Sequence, residues 1–375
     1  IPCIVGTGDA LTAIPNGTSV TVCCTGSSYA GAVLSGIKAS STREVDIGAL
    51  PALPSTATQV MVNLASPSLA LANAYLPVAG VGLAREEFII ANHIRVHPLA
   101  LIGFPHNKAG ADPDTADAVA ALLGSRYADC PEAFFVDKLA EGAGLIAAAF
   151  YPRKVILRLS DFKSNEYKGL IGGMLYEPVE ENPMLGLRGA SRYYDPSYRP
   201  AFELECAAIA KLRDVMGFTN VEVMIPFCRT PAELTRVLDV MADAGLVRGV
   251  NGLRVIMMCE IPANVLLADE FLAHCDGMSI GSNDLTQLTL GVDRDSERVS
   301  HIFDESSPAV LKMIAMAIDA CNAAGKYIGL CGQGASDSMP FVLKLVDLGI
   351  GSVSVSADCA VDVIRTIASH LGHSA

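Results

Sequence analysis

From Gln59 onward, eight short apolar runs are separated by longer stretches with helical character, and this alternation limits the fold more than any other feature. The runs are Gln59–Leu64, Gly80–Ala84, Val155–Leu159, Val221–Ile225, Leu253–Cys259, Gly277–Ile280, Tyr327–Leu330 and Ser352–Val355. Continuous apolar strands alternating with helices specify a parallel sheet buried on both faces. Eight such units over residues 58–375 predict an α/β fold, a (β/α)₈ TIM barrel. A ninth apolar run, Met184–Leu187, is punctuated by Asn182-Pro183 and Gly186 and is read as a loop. Residues 86–153 form a gap too long for a structureless loop, so extra helices are expected there.

The first 36 residues differ, being rich in Gly, Thr, Ser and Val. Cys3–Val5 and Ser19–Cys23 read as short strands broken by Gly-Thr-Gly and Pro-Asn-Gly turns. This piece is too small for a core of its own. With Ile1 rather than Met at the start, it is expected to be the end of a domain that began earlier in a longer or processed chain. Residues 37–57, with scattered charges, Gly48, Pro51 and Pro54, read as a linker.

Composition narrows the function. The 375 residues carry 27 basic and 40 acidic side chains, a net charge of −13, which argues against nucleic acid or an anionic membrane as partner. No apolar run approaches the roughly 20 residues of a membrane-spanning helix. The 11 cysteines are scattered without a Cys-x-x-Cys pair, which disfavours a zinc ribbon and fits a reducing cytoplasm. No Walker loop or dinucleotide glycine fingerprint occurs. None of the seven histidines sits in a Gly-rich, Thr-His setting suited to carrying a phosphoryl group, so all are read as surface or capping residues.

Chemistry in such barrels sits at the C-terminal strand ends. Those ends bear Asn63, Arg85, Arg158, Pro226, Glu260, Asn283 with Asp284, Cys331 and Ser356. Glu260 and Asp284 follow neighbouring strands and could face one cation, since Mg²⁺ takes one or two carboxylates. They fit helix starts equally well, before Ile261-Pro262 and Leu285. One arginine beside acids is ordinary, but Arg85, Arg158 and Arg188 at one mouth of an acidic chain favour an anion site. Cys331, beside Gly332-Gln333-Gly334, could act as acid or base, though the residue type alone favours an inert, half-buried thiol.

Longer segments are more specific. IPCIVGTGDA, GVGLAREEFI, IRVHPLALIGF, ILRLSDFKSNEY, YEPVEENPMLGLRGASRY, NVEVMIPFCRT, IMMCEIPANVLLADEF, GMSIGSNDLTQLTLGVDRDS and YIGLCGQGASD occur in this order. Together they resemble the C-terminal part of the phosphoenolpyruvate synthase (pyruvate, water dikinase) family of PEP-utilizing enzymes. The resemblance runs over nearly the whole chain. Pyruvate phosphate dikinase and enzyme I of the sugar phosphotransferase system share the barrel, but Cys-Gly-Gln-Gly and SDFKSNEY favour the synthase.

The resemblance implies a phosphoenolpyruvate/pyruvate-type barrel over 58–375. It implies that residues 1–36 are the remnant of a swivelling phosphohistidine domain, with the phosphohistidine and the ATP-grasp domain outside this chain. Arg85, Arg158 and Arg188 would bind the transferred phosphoryl group. Glu260 and Asp284 would hold Mg²⁺ and, through it, the substrate. Asn283, with backbone near Ser282, would contact substrate. Cys331 would exchange a proton with C3 of pyruvate, and an acid-poor mouth lined by arginines would favour its thiolate. The family converts ATP, pyruvate and water into AMP, phosphoenolpyruvate and phosphate, and a homodimer is expected. A stand-alone Mg²⁺-dependent aldolase or lyase, or a barrel that only senses phosphoenolpyruvate, are the alternatives.

Overall fold

The structure is a computed structural model that describes residues 3–4, 7–23, 31–39, 46, 48 and 58–372. In the N-terminal part, β1 (Val20–Cys23) pairs antiparallel with β2 (Ala32–Ser35), with Val20 opposite Ser35 and Cys23 opposite Ala32. The first predicted strand does not form at Cys3 or Ile4, and Val5 lies outside the described residues. A helical turn, Ala10–Ala13, stands before β1 instead. Most of the predicted linker, 40–45, 47 and 49–57, also lies outside the described residues.

Eight parallel strands close into a barrel: β3 (Gln59–Leu64), β4 (Gly80–Arg85), β5 (Lys154–Arg158), β6 (Val221–Ile225), β7 (Val255–Cys259), β8 (Gly277–Ile280), β9 (Tyr327–Leu330) and β10 (Ser352–Val355). β10 hydrogen-bonds to β3 and closes the ring. The strands lie within a residue or two of the apolar runs. Both faces of each strand are covered, so apolar residues are needed at consecutive positions and the runs mark the strands directly.

Strand periodicity divides these residues into two sets. Val155 and Leu157, or Val255, Met257 and Cys259, point outward into the core beneath the helices. Ile156, Ile256, Met258, Met224 and Leu83 fill the barrel interior. Arg158 and Glu260 continue the inward rows past Ile156 and Met258. The alternation that packs the barrel therefore also aims these two charged side chains into its mouth.

The gap between β4 and β5 is helical, as expected. Its longest helix, Pro131–Phe150, buries Phe134, Phe135, Leu139, Ile146 and Phe150. The segment after β5 is mostly irregular, and Met184–Leu187 within it is a loop. Among the described residues, no helix is long and apolar enough to cross a membrane.

Candidate active site

A cavity of about 360 Å³ opens at the C-terminal mouth of the barrel, and Arg85, Arg158, Arg188, Glu260, Asn283, Asp284 and Cys331 all line it. Ser282 does not: it is buried and its hydroxyl donates to the Glu305 carboxylate. Asn63 also turns from the cavity, its amide bridging the carbonyls of Cys331 and Ser354 at 3.2 and 3.3 Å. It ties the ends of strands rather than facing a ligand.

The three arginines differ in what they already hold. Arg158 donates to Glu87 Oε1 at 3.0 Å and lies 3.1 Å from Asp161 Oδ2, so its charge is compensated within the site. Arg188 grips both Asp161 oxygens, through Nε and Nη2 at 2.8 Å each, and Nη2 also reaches Asp284 Oδ2 at 2.6 Å. Its guanidinium lies over the Phe227 ring, 4.1 Å from the centroid. Arg85 has no ion-pair partner among the described residues. Burial, with the charge of Arg158 next, pulls its pKa below the ordinary arginine value. A half-buried guanidinium without a carboxylate, facing a cavity, is poised for an anionic ligand.

The carboxylates form the other half of the site. Oxygens of Asp161, Glu260 and Asp284 lie within 4.8 Å of one another, and all three residues are buried. Burial, then the charges of Asp284 and Asp161, pushes the Glu260 carboxyl far above its ordinary range. Asp161 shows the opposite balance: burial alone would raise it, but Arg188 and Arg158 together hold it below the ordinary range. Glu260 has no cationic side chain within ion-pair distance among the described residues. Its Oε1 accepts the Phe227 N–H at 2.6 Å. An all-carboxylate set without His or Cys suits a hard divalent ion such as Mg²⁺. The separation is close to the roughly 4 Å that spans two Mg–O bonds of about 2 Å each.

Local backbone makes this crowding possible. Phe227 adopts φ +47°, rare for an aromatic residue, and this conformation aims its N–H at Glu260. Gly189, at φ +55°, passes so close that a Cβ there would lie 2.6 Å from the Pro226 carbonyl oxygen. A Cβ at Gly281 would lie 2.9 Å from Glu260 Oε2.

Cys331 is buried in the cavity floor, its Sγ 3.7 Å from the Ile280 carbonyl. Burial raises the thiol pKa, and Arg158 and Arg85 offset this only in part. The expectation of a thiolate in an acid-poor mouth is therefore corrected. Glu87, Asp161, Glu166, Glu260 and Asp284 all line the cavity, so the mouth is not acid-poor, and burial favours the protonated thiol.

The cavity also recruits Asp161, Glu87, Lys163 and Arg294, none of which the sequence reading selected as site residues. For Asp161 the available signal was its position just past the end of β5, where barrel chemistry collects.

The family model for the PEP-binding domain of PEP-utilising enzymes matches residues 39–372. Barrel, cavity and match together place the chain in the PEP-utilising enzyme family. Its curated relatives are more particular. It is 53% identical over 368 residues to phosphoenolpyruvate synthase of Synechocystis, covering 98% of this chain and 44% of that protein. It is 54% identical over 362 residues to the Pseudomonas aeruginosa phosphoenolpyruvate synthase, covering 96% and 44%. For the Escherichia coli phosphoenolpyruvate synthase, identity is 48% over 372 residues, covering 98% and 45%. The chain thus spans less than half the length of these relatives.

Proposed function

We propose that this chain is the pyruvate-enolising and phosphoryl-accepting barrel of a phosphoenolpyruvate synthase. In the longer protein, ATP, pyruvate and water would become AMP, phosphoenolpyruvate and phosphate. A phosphohistidine on a swivelling domain, charged by an ATP-grasp domain, would supply the phosphoryl group. Residues 1–36 would be the end of that swivelling domain and 37–57 the linker to the barrel. The observation that carries this reading is one cavity holding Arg85, which has no ion-pair partner among the described residues, a carboxylate triad and the buried Cys331 thiol.

Each group has a task. Arg85 would take the phosphoryl oxygens, with Arg158 and Arg188 spreading charge as the group transfers. Asn283 accepts the Gln333 N–H at 3.3 Å through Oδ1, which leaves its amide N–H₂ to orient the substrate carboxylate. Glu260 and Asp284, with Asp161, would hold Mg²⁺, which when bound stabilises negative charge developing on the pyruvate carbonyl oxygen. As thiolate, Cys331 would take a proton from C3 of pyruvate. In the reverse direction the thiol would return that proton to C3. The enol oxygen so exposed would attack the phosphorus, and the histidine nitrogen would leave.

Calorimetric titration with phosphoenolpyruvate and Mg²⁺ tests this site. Arg85→Gln should weaken binding on the order of a hundredfold, the loss of a charge-assisted contact of about 2–3 kcal/mol. Equal affinity in Arg85→Gln and the unaltered chain would remove Arg85 from the phosphoryl site.

A further inference from the structure

The carboxylates that would hold a metal are already occupied by a cation of the chain itself. Arg188 Nε and Nη2 cover both oxygens of Asp161, and Nη2 spans to Asp284 Oδ2 at 2.6 Å. A divalent ion between Asp161, Glu260 and Asp284 would compete with this guanidinium for the Asp161 carboxylate, both of whose oxygens it engages. We propose that Arg188 is an exchangeable internal cation: it holds Asp161 and Asp284 together until a divalent metal displaces it, and the freed fork then turns to the anionic substrate. The inference rests on the reading of the triad as a metal site.

Three features support exchange over a fixed anchor. First, the guanidinium leaves the triad unbalanced. It reaches Asp161 and Asp284, while Glu260 accepts the Phe227 N–H and has no cationic side chain within ion-pair distance among the described residues. Asp161 is shared with Arg158, 3.1 Å from its Oδ2, so the acid that the two guanidinium groups leave unmet is Glu260, which a divalent ion among the three would reach. Second, the guanidinium rests on a flat surface. Its Cζ lies 4.1 Å from the Phe227 ring centroid, and stacking of this kind persists as the fork slides or rotates in plane. Third, the remaining nitrogen is weakly held. Nη1 has a methionine sulfur, Met184 Sδ at 3.0 Å, as its hydrogen-bond partner, and sulfur is a poor acceptor. The side chain lines the same cavity as the unpaired Arg85. Displacement from Asp284 would thus deliver a second guanidinium to the anion pocket at the moment the metal arrives. Metal and anion binding would then be positively coupled, with Arg188 as the coupling element.

The test is Mn²⁺ binding to the full chain without substrate, read by electron paramagnetic resonance, in the unaltered protein, Arg188→Gln, Arg188→Lys and Glu260→Gln. With the competing cation removed, Arg188→Gln should bind Mn²⁺ on the order of tenfold more tightly than the unaltered chain. Arg188→Lys, which keeps the charge without the fork, should fall between. A fixed anchor predicts the opposite, because carboxylates left unheld would bind metal less well. Should Arg188→Gln bind Mn²⁺ equally or more weakly while Glu260→Gln loses it, the exchange is overturned and the metal site stands. Should Glu260→Gln bind as the unaltered chain does, the metal site itself falls, and the exchange with it. The unaltered chain gives a second readout that needs no folded glutamine variant. The ¹⁵N resonance of the Arg188 Nε–H, identified by its loss in Arg188→Lys, should move on saturation with Mg²⁺. A resonance that stays in place while Mg²⁺ binds contradicts displacement.

Discussion

Gly189→Ala is the substitution for which the structure gives the most definite expectation. Gly189 has φ +55° and ψ −134°, a region open essentially to glycine, so alanine there costs about 1–3 kcal/mol in backbone strain. Its Cβ would also stand 2.6 Å from the Pro226 carbonyl oxygen and 2.7 Å from Phe227 Cβ. Overpacking of that kind costs about 1–3 kcal/mol more. Together the two effects come to about 4 kcal/mol. The described barrel, residues 58–372, has 315 residues. At about 2.1 cal/mol/K per residue, 4 kcal/mol lowers the melting temperature by about 6 °C. Gly217→Ala is the matched control, since its φ is +82° but nothing lies within 4 Å of the added Cβ. It bears the strain alone and should lose about 2–3 °C. The two variants separate further at the site. Relief at residue 189 moves either Arg188 or the Pro226–Phe227 backbone, and the latter donates to Glu260. Gly189→Ala should therefore weaken Mg²⁺-dependent phosphoenolpyruvate binding at least about tenfold, the effect of losing roughly 1.4 kcal/mol, whereas Gly217→Ala leaves it intact. Differential scanning calorimetry and titration calorimetry read both effects. Melting of Gly189→Ala at or above that of Gly217→Ala would refute the crowding argument.

Other expectations follow from single groups. Because burial holds the Cys331 thiol above its ordinary pKa, the thiolate fraction grows about tenfold per pH unit, and exchange of pyruvate C3 protons should climb accordingly from pH 6 to 8; a flat profile, measured by NMR, would remove the thiolate as base. Glu86 and Glu205 are both buried, and burial followed by the charge of Glu205 holds the Glu86 carboxyl far above the ordinary glutamate range, with Glu205 raised to about 7. The folded chain thus keeps protons that the unfolded chain sheds, and this pair costs stability progressively as pH rises above the ordinary glutamate range, the Glu205 part of the cost levelling off beyond about pH 7. Glu86→Gln should therefore be close to neutral near pH 4 and stabilising at pH 8 in thermal melts; equal effects at both pH values would contradict the shared burial. Ser282→Ala removes the hydroxyl that donates to buried Glu305 and should lower stability by about 1–2 kcal/mol without changing phosphoenolpyruvate affinity. Lost affinity with unchanged melting would instead give that hydroxyl a substrate contact.

Much of this site is readable from sequence because the barrel converts local pattern into direction. Buried parallel strands are continuous apolar runs, so their ends can be found, and alternation then tells that Arg158 and Glu260 face inward beyond Ile156 and Met258. Cys331 and Asp284 follow strand ends in the same way. Where the chain leaves regular structure, the logic stops. Arg188 meets Asp161 across 27 residues of loops and short helical turns, and no periodicity announces which of that segment's residues fold back. Arg294 lines the cavity from the loop after the helix Ser282–Leu290, again without a local cue. The expected thiolate at Cys331 fails for a related reason: the charged groups at strand ends are visible, but the burial that outweighs the arginines is set by segments distant in sequence. His97 shows a partial reading. It does cap a helix, accepting the Leu99 N–H at 3.2 Å, but it is fully buried and also bonded to Glu177. The short β2 was not foreseen, its four residues being exposed and lacking a hydrophobic face.

The central claim is that this mouth enolises pyruvate. Its most direct test is ¹H NMR of pyruvate methyl exchange in deuterated water, on the full chain with Mg²⁺, beside Cys331→Ala and Glu260→Ala. The account predicts exchange in the unaltered chain that requires Mg²⁺ and disappears in both variants, while pyruvate still binds to Cys331→Ala. Exchange that persists unchanged in Cys331→Ala, or a chain that binds no pyruvate with Mg²⁺ present, would contradict it.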